Sequence, residues 1–281
     1  MSVRIVVDST ADLLPDVAEQ LTIVPLTVRF GTQEYVQGVD ITNTQFYEML
    51  VESDTLPTTS QATPYQFEEA FRKAVDAGDT VVAITLSSKL SGTYQSAVIA
   101  AADFPGQVFV VDSASVAIGT GILITYALRL VAQGLSAEQI AQELLQKREQ
   151  IHVIAMLDTL EYLKKGGRIS KTVAFAGELL SIKPVVCIED GTVQMLGKAR
   201  GSKQGNNLLV KQIQAAGGID FSMPLLLGYT GLSDVLLQKY IVDSAPLWQG
   251  NLQTLPQALI GSVIGTHVGP GAIAVAFFSA E

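Results

Sequence analysis

The sequence predicts an α/β fold in two parts, an N-terminal parallel-sheet α/β domain over 1–155 and a C-terminal mixed-sheet α/β domain over 156–281. Three observations predict it. Apolar runs at 3–7, 81–86 and 108–111 read as strands buried on both faces, each followed by a stretch of helical spacing. Such alternation builds a parallel sheet through right-handed crossovers, so the polar clusters ending the three runs (DST at 8–10, SS at 87–88, DSAS at 112–115) share one sheet edge. Beyond Met156 the strands are instead joined through a hairpin dipeptide, Asp190-Gly191, which favours a mixed sheet.

After the first strand, 12–20 fits a short helix, and 23–30 with 33–36 a hairpin about Gly31. Thr63 caps a helix that runs to about 77. Its hydroxyl satisfies a free N–H group, Pro64 takes the first helical position where its missing N–H costs nothing, and Gln66 completes a capping box. Helices are expected over 92–102 and, after the third strand, to about 132; Ser136 caps another to about 149, and 151–156 is a strand. The second part opens with a short basic helix from 160, GGRIS at 166–170 and an apolar helix near 172–180. The strand pair about 190–191, a helix over 203–216, strand-like segments at 224–229 and 251–255 around a helix over 233–243, and a last strand over 272–278 complete it. GTHVGPG at 265–271 is expected to be a loop feeding that strand.

A chain of 281 residues suits two medium domains. It is 48% apolar and 16% charged, with a mean hydropathy of +0.34, so it carries either a large core or an apolar cavity that itself needs lining. The uncharged stretches 113–128 and 244–280 are broken by Gly, Ser, Thr and Pro, which argues against a membrane span. The first residues go straight into a strand with no signal-peptide form, and the single Cys187 argues against a disulfide framework or a thiolate metal site. The expected location is the cytoplasm. A net charge of −9 disfavours wholesale nucleic-acid binding. Seven of the 18 Lys and Arg nevertheless fall in two clusters, Lys164-Lys165-Arg168-Lys171 and Lys198-Arg200-Lys203, which are either solvated faces or docking sites for an anion or acidic surface.

LSSKLSGTYQSA at 86–97 crowds hydroxyls onto a strand-to-helix turn, where strand ends and exposed helix N–H groups favour an anion. Ser91 either caps the helix or, with the N–H groups of Gly92 and Thr93, grips a carboxylate or phosphate; Gly92 allows close approach. Thr58-Thr59-Ser60-Gln61 supplies more hydroxyls than capping at Thr63 needs. His267 is either structural, a donor to an oxyanion, or a base for Ser91, whereas His152, inside an apolar strand, reads as structural. Arg168 and Arg200 adjoin glycines and are candidates to reach an anion; Cys187 reads as a small hydrophobe. Nucleotide signatures fail: GTVQMLGKA at 191–199 has five residues between its glycines and Ala199 where a P-loop needs a hydroxyl, and there is no GxGxxG after a strand and no GxSxG elbow. ATP chemistry within the chain is disfavoured, and no cofactor or metal is expected.

Taken in order, IVVDSTADL, PTTSQ at 57–61, SSKLSGTYQSA, VDSASVAIGTG at 111–121, LEYLKKGGRIS at 160–170, KPV at 183–185, KARGSKQG at 198–205 and GTHVGPGA at 265–272 resemble the DegV family over essentially the whole chain. The resemblance implies one long-chain fatty acid held between the two domains, in the lipid-carrying subunit of bacterial fatty-acid kinases. A separate dihydroxyacetone-kinase-like subunit would supply ATP and convert the acid to an acyl phosphate. By motif match, Thr59 and Ser91 would bond the carboxylate with His267 in the same network, supported by Ser60, Gly92 and Thr93. Arg168 and Arg200 would lie near the carboxyl end or at the kinase-docking face. Many relatives have a lysine or another residue before the threonine where this chain has Thr58. An acid headgroup accounts for the hydroxyls and an acyl tail for the apolar surplus. Roughly 14 methylenes at about 0.8 kcal/mol each are worth on the order of 11 kcal/mol before the costs of association. The expected partners are the acid and the kinase, with no nucleic acid and at most transient membrane contact; a monomer is the default. Two alternatives stay open: an acyl-ester hydrolase with Ser91 as nucleophile, His267 as base and Asp8 or Asp112 as orienter, or a carrier of another amphipathic acid that is not phosphorylated.

Overall fold

The computed structural model describes residues 2–169 and 182–280. β-Branched residues dominate β1 (Val3–Asp8), β6 (Thr80–Thr85) and β7 (Val108–Asp112), and with β2 (Thr22–Val24) these form a four-stranded, all-parallel sheet in the order β2-β1-β6-β7. The clusters after β1, β6 and β7 do share one edge: the Leu86 N–H donates to Asp8 Oδ2 at 2.7 Å and the Ser88 N–H to Asp112 Oδ1 at 3.2 Å. Helices α3 (Pro64–Asp76) and α4 (Thr93–Ala101) pack together on one side of this sheet, and Thr63 with Gln66 forms the expected capping box.

A six-stranded mixed sheet follows in the order β10-β9-β8-β13-β11-β12, made of β8 (Ile151–Met156), β9 (Ile182–Glu189), β10 (Thr192–Arg200), β11 (Leu226–Tyr229), β12 (Gln257–Leu259) and β13 (Ile273–Phe278). β9 and β10 turn at Asp190 and Gly191, both at positive φ (+48° and +72°), the geometry that an Asp-Gly hairpin supplies. Between the two sheets lies α5 (Ile118–Ala132). Its Ile118, Ile122 and Leu123 share one core with Val7 and Ile84 of the parallel sheet and with Val153 and Ala276 of the mixed sheet. Its first two turns, 118–124, are buried on every side, and the exposed Arg129 falls only in the last turn. No helix among the described residues is long and apolar enough to cross a membrane.

Several local readings change. Residues 23–30 are not one strand: Pro25 interrupts them, β2 joins the parallel sheet, and β3 (Thr27–Phe30) pairs with β4 (Gln33–Val36) in a separate three-stranded sheet. The edge strand of that sheet is β5 (Thr58–Ser60), a segment expected only as a hydroxyl cluster before a helix. The helix in 12–20 shrinks to α1 (Pro15–Ala18), and 251–255 is not a strand, since pairing begins at Gln257 just past Pro256. The apolar helix near 172–180, with Ser170 and Lys171, lies outside the described residues.

The change that matters most is at 265–271. Residues expected as loop belong largely to α10 (Ser262–Val268), a helix that carries His267 in its last turn. Gly265 sits inside this helix because the fully buried rings of Phe46 and Tyr47, on α2 (Asn43–Glu52), press against it. A Cβ there would lie 2.7 and 2.6 Å from their atoms. Gly265→Val should therefore push α10 off α2 and destabilise the fold by about 2 kcal/mol, read by urea unfolding; an unchanged midpoint would mean that the rings yield freely.

Candidate functional site

A cavity of about 420 Å³ lies between the edge of the parallel sheet, α10 and one face of the mixed sheet. Its polar residues form one connected group: Thr59, Ser60, Gln61, Ser91, Gly92, Arg168 and His267. The rest of the wall is aliphatic. On the mixed sheet it is built from the alternate residues Val153 and Ala155 of β8, from Ala274 of β13 and from residues 186–188 of β9, with Ala155 opposite both Ala274 and Val186. Cys187 among them is half-buried, and burial pushes its thiol up to about 11.

Thr59 Oγ1 and His267 Nε2 are 2.8 Å apart, joining β5 to the end of α10 across 208 residues of chain. Burial, and secondarily the nearby Arg168 charge, push the imidazole down to about 4, so it is neutral at pH 7. Its Nδ1 is buried without a partner among the described residues, and Gly166 packs so tightly on that atom that a Cβ would overlap it. Leaving an acceptor unpaired there costs less than stranding an N–H group. The favoured tautomer therefore carries its proton on Nε2, donates to Thr59 Oγ1, and leaves the threonine O–H free to donate into the cavity.

Ser91 stands one residue before the cap of α4, a position held by Gly92. Its Oγ lies 3.0 Å from Thr93 Oγ1 and accepts the Thr93 N–H at 3.3 Å. Thr93 is fully buried behind Ser91 and does not line the cavity. Gly92 does line it, but the close approach it permits is used by Gln61, whose amide lies against the Gly92 Cα and donates to Ser96 Oγ at 3.0 Å. Arg168 donates to the carbonyls of Leu90 (3.2 Å) and Gly166 (2.6 Å), tying the Ser91 turn to the segment beneath His267 and placing a cation beside both. Arg200 is not brought in: it is exposed at the end of β10, away from the cavity lining. Of the remaining hydroxyls in 86–97, Ser87 donates to the Gly191 carbonyl at 2.7 Å and so joins the two parts of the chain. His152 stacks on Phe277.

Three contributors were not singled out in the sequence. Gln61 covers the start of α4, Gly166 makes room for the imidazole, and Ala117 lines the wall at φ +54°, ψ −130°, a conformation normally left to glycine. Only the PTTSQ and KKGGRIS motifs hinted at the first two. A nucleophile–base–orienter chain is not formed. Ser91 pairs with Thr93 and His267 Nε2 with Thr59, while Asp8 accepts from Thr10 and Leu86, and Asp112 from Ser88 and Ala114.

Fold and site together define a two-part α/β protein that encloses an apolar cavity with one hydrogen-bonding end. The chain belongs to the DegV family: the family model described as uncharacterised protein, DegV family, matches residues 2–280. A DegV domain-containing protein of Caldanaerobacter subterraneus is 35% identical over 279 residues, 98% of each chain. Among solved structures, one described as fatty acid binding of a DegV family protein from Thermus thermophilus superposes with a TM-score of 0.88 at 33% identity, covering 99% of this chain and 100% of that one. The Streptococcus pneumoniae Fatty Acid Kinase (Fak) B3 protein, loaded with linoleic acid, shares the fold with a TM-score of 0.85 at 23% identity, covering 99% of each chain.

Proposed function

We propose that this protein binds one long-chain fatty acid, with the acyl tail in the aliphatic cavity and the carboxylate at Thr59 and Ser91, and presents that carboxylate to a separate ATP-dependent fatty-acid kinase subunit, which forms the acyl phosphate. Residues 1–155 and 156–281 would be the two halves that enclose the ligand. The observation that carries the reading is the polarity of the cavity: aliphatic walls, with hydroxyl donors gathered where Thr59 meets His267. Hydroxyl donors and the Arg168 charge offset the desolvation of a carboxylate, and the tail supplies the affinity. Ser60 and Gln61, exposed to solvent, line the same end, which favours the carboxyl group as the end offered to a partner. The chain's own part in phosphoryl transfer would be positioning, and Arg200, which lies outside the cavity lining, would belong to the docking face.

Native and denaturing mass spectrometry of the purified protein tests the ligand. An added mass of one fatty acid, lost on denaturation and exchanged for added palmitate or oleate, is expected. A protein that stays ligand-free after incubation with either acid would overturn the reading. Conversion of bound acid to acyl phosphate on adding a fatty-acid kinase subunit and ATP tests the second half.

A further inference from the structure

The motif DSTAD at 8–12 has no role in the reading above, yet it holds two carboxylates that are almost completely buried, Asp8 and Asp12. Helix α10 begins at Gly261, which has no side chain to cap it, so its first N–H groups need acceptors from elsewhere. They find them far away in the chain. The Gly261 N–H donates to Asp12 Oδ1 at 2.7 Å, and the Val263 N–H donates to Gln37 Oε1 at 3.3 Å. Gln37 is anchored in turn, its Nε2 donating to the Ser9 carbonyl at 2.8 Å, and Tyr47 Oη donates to the Ile260 carbonyl at 2.9 Å. A Cβ at 261 would overlap the Gln37 amide, so any larger residue there has to displace that cap. Asp12 is fixed from its other side, where Gly121 of α5 packs on its carbonyl oxygen.

We propose that Asp12 and Gln37 are positioning residues for the carboxylate site: together they cap, from the N-terminal part of the chain, the helix that carries His267, and so set where His267 meets Thr59. The proposal rests on the reading that a carboxylate binds at that end of the cavity. A seven-residue helix moves as a unit, so slack at Gly261 is carried to His267 in its last turn and loosens the 2.8 Å contact that aims the Thr59 hydroxyl. Asp8, four residues before Asp12, holds the Leu86 N–H and with it the start of the Ser91 turn. One loop thus registers both halves of the headgroup site. Fold stability alone is a poor account of Asp12: its Oδ2 is buried without a partner among the described residues, an arrangement that costs stability. Burial pushes its carboxyl up to about 8, so asparagine, which keeps the accepting oxygen, is a close neutral replacement.

The test compares dissociation constants for palmitate and for hexadecanol, which has the tail without the carboxylate, in wild type, Asp12→Ala, Asp12→Asn and Gln37→Ala. The preference of the wild type for palmitate should fall by about 10-fold in Asp12→Ala and in Gln37→Ala, with hexadecanol binding changed by less than about threefold, and Asp12→Asn should restore it. Equal losses for both ligands would reduce the two residues to structural roles and overturn the proposal. So would a wild-type preference in both alanine variants, or an Asp12→Asn variant as impaired as Asp12→Ala. If Asp12→Ala does not fold, Gln37→Ala decides alone. A wild type with no preference for palmitate would instead overturn the carboxylate reading itself, and this proposal with it.

Discussion

Thr59→Ala is expected to weaken binding of a long-chain acid by roughly 10- to 100-fold, because it removes a hydrogen bond to a charged group worth about 1.5–3 kcal/mol. Thr59 is half-buried on the edge strand β5, and its loss also leaves the part-buried His267 Nε2–H without its acceptor, so the fold should lose about 1–3 kcal/mol. Thr59→Ser keeps the hydroxyl and should retain most of the affinity. The expected role of His267 has a separate signature. If its charge held the carboxylate, affinity would fall as pH rises through the ordinary histidine range; a neutral Nε2–H donor predicts no such loss between about pH 6 and 8. Its depressed value also has a stability consequence of definite sign. In the unfolded chain the ring titrates near 6.5 and in the folded protein near 4, so the unfolded chain takes up the proton first as pH falls. The stability due to neutral His267 is fully present above 6.5 and is lost as pH falls from there through 4. The difference in unfolding free energy between wild type and His267→Gln should shrink by on the order of 3 kcal/mol between pH 8 and pH 4. A difference that stays flat would mean that the ring is not held neutral. Wild-type affinity in Thr59→Ala would remove Thr59 from the carboxylate site.

What the sequence displayed, and what it hid, divides along the range of the forces involved. The strands β1, β6 and β7, the cap at Thr63 and the turn at 190–191 are written in neighbouring residues, as apolar runs, an N-cap hydroxyl and an Asp-Gly dipeptide, and the structure keeps them all. The helix under His267 was hidden for the opposite reason. Its seven residues include Gly265 and two β-branched valines, poor helix formers, and it follows a glycine; what holds it is packing on Phe46 and Tyr47 and caps from Asp12 and Gln37, more than 200 residues distant. The site follows the same rule. Thr59 stood out as a hydroxyl that capping at Thr63 does not need, Ser91 as a hydroxyl on a strand-to-helix turn, and His267 as a histidine in a glycine-rich stretch. Gln61 and Gly166 did not, because one acts through its reach across α4 and the other through the space it leaves for the imidazole. Arg200, singled out for its neighbours GS, lies outside the cavity lining, since adjacency to glycine says nothing about which way a strand end faces.

Ala274→Leu should separate a ligand cavity from a packing defect. Ala274 faces Ala155 across β13 and β8, in the middle of the mixed sheet, and both line the aliphatic wall. A strand core of this kind would ordinarily carry larger β-branched residues, as Val153 and Val275 do on neighbouring positions. Two alanines opposite each other set this part of the wall back, and beside the α5 core that packs on them they leave room along the cavity. Leucine at 274 adds three carbons to the wall, which displaces about three methylenes of tail at ~0.8 kcal/mol each and should weaken binding of the longest acids by roughly 50-fold, with shorter acids far less affected. The unliganded fold should hold its stability or gain, because the new side chain covers apolar surface that otherwise faces the cavity. These two movements in opposite directions are the test. If the substitution strengthens the fold and leaves the binding of every chain length unchanged, the tail does not run along this wall; if it lowers stability by about 2 kcal/mol or more, the position was already filled and the cavity is smaller than the lining suggests.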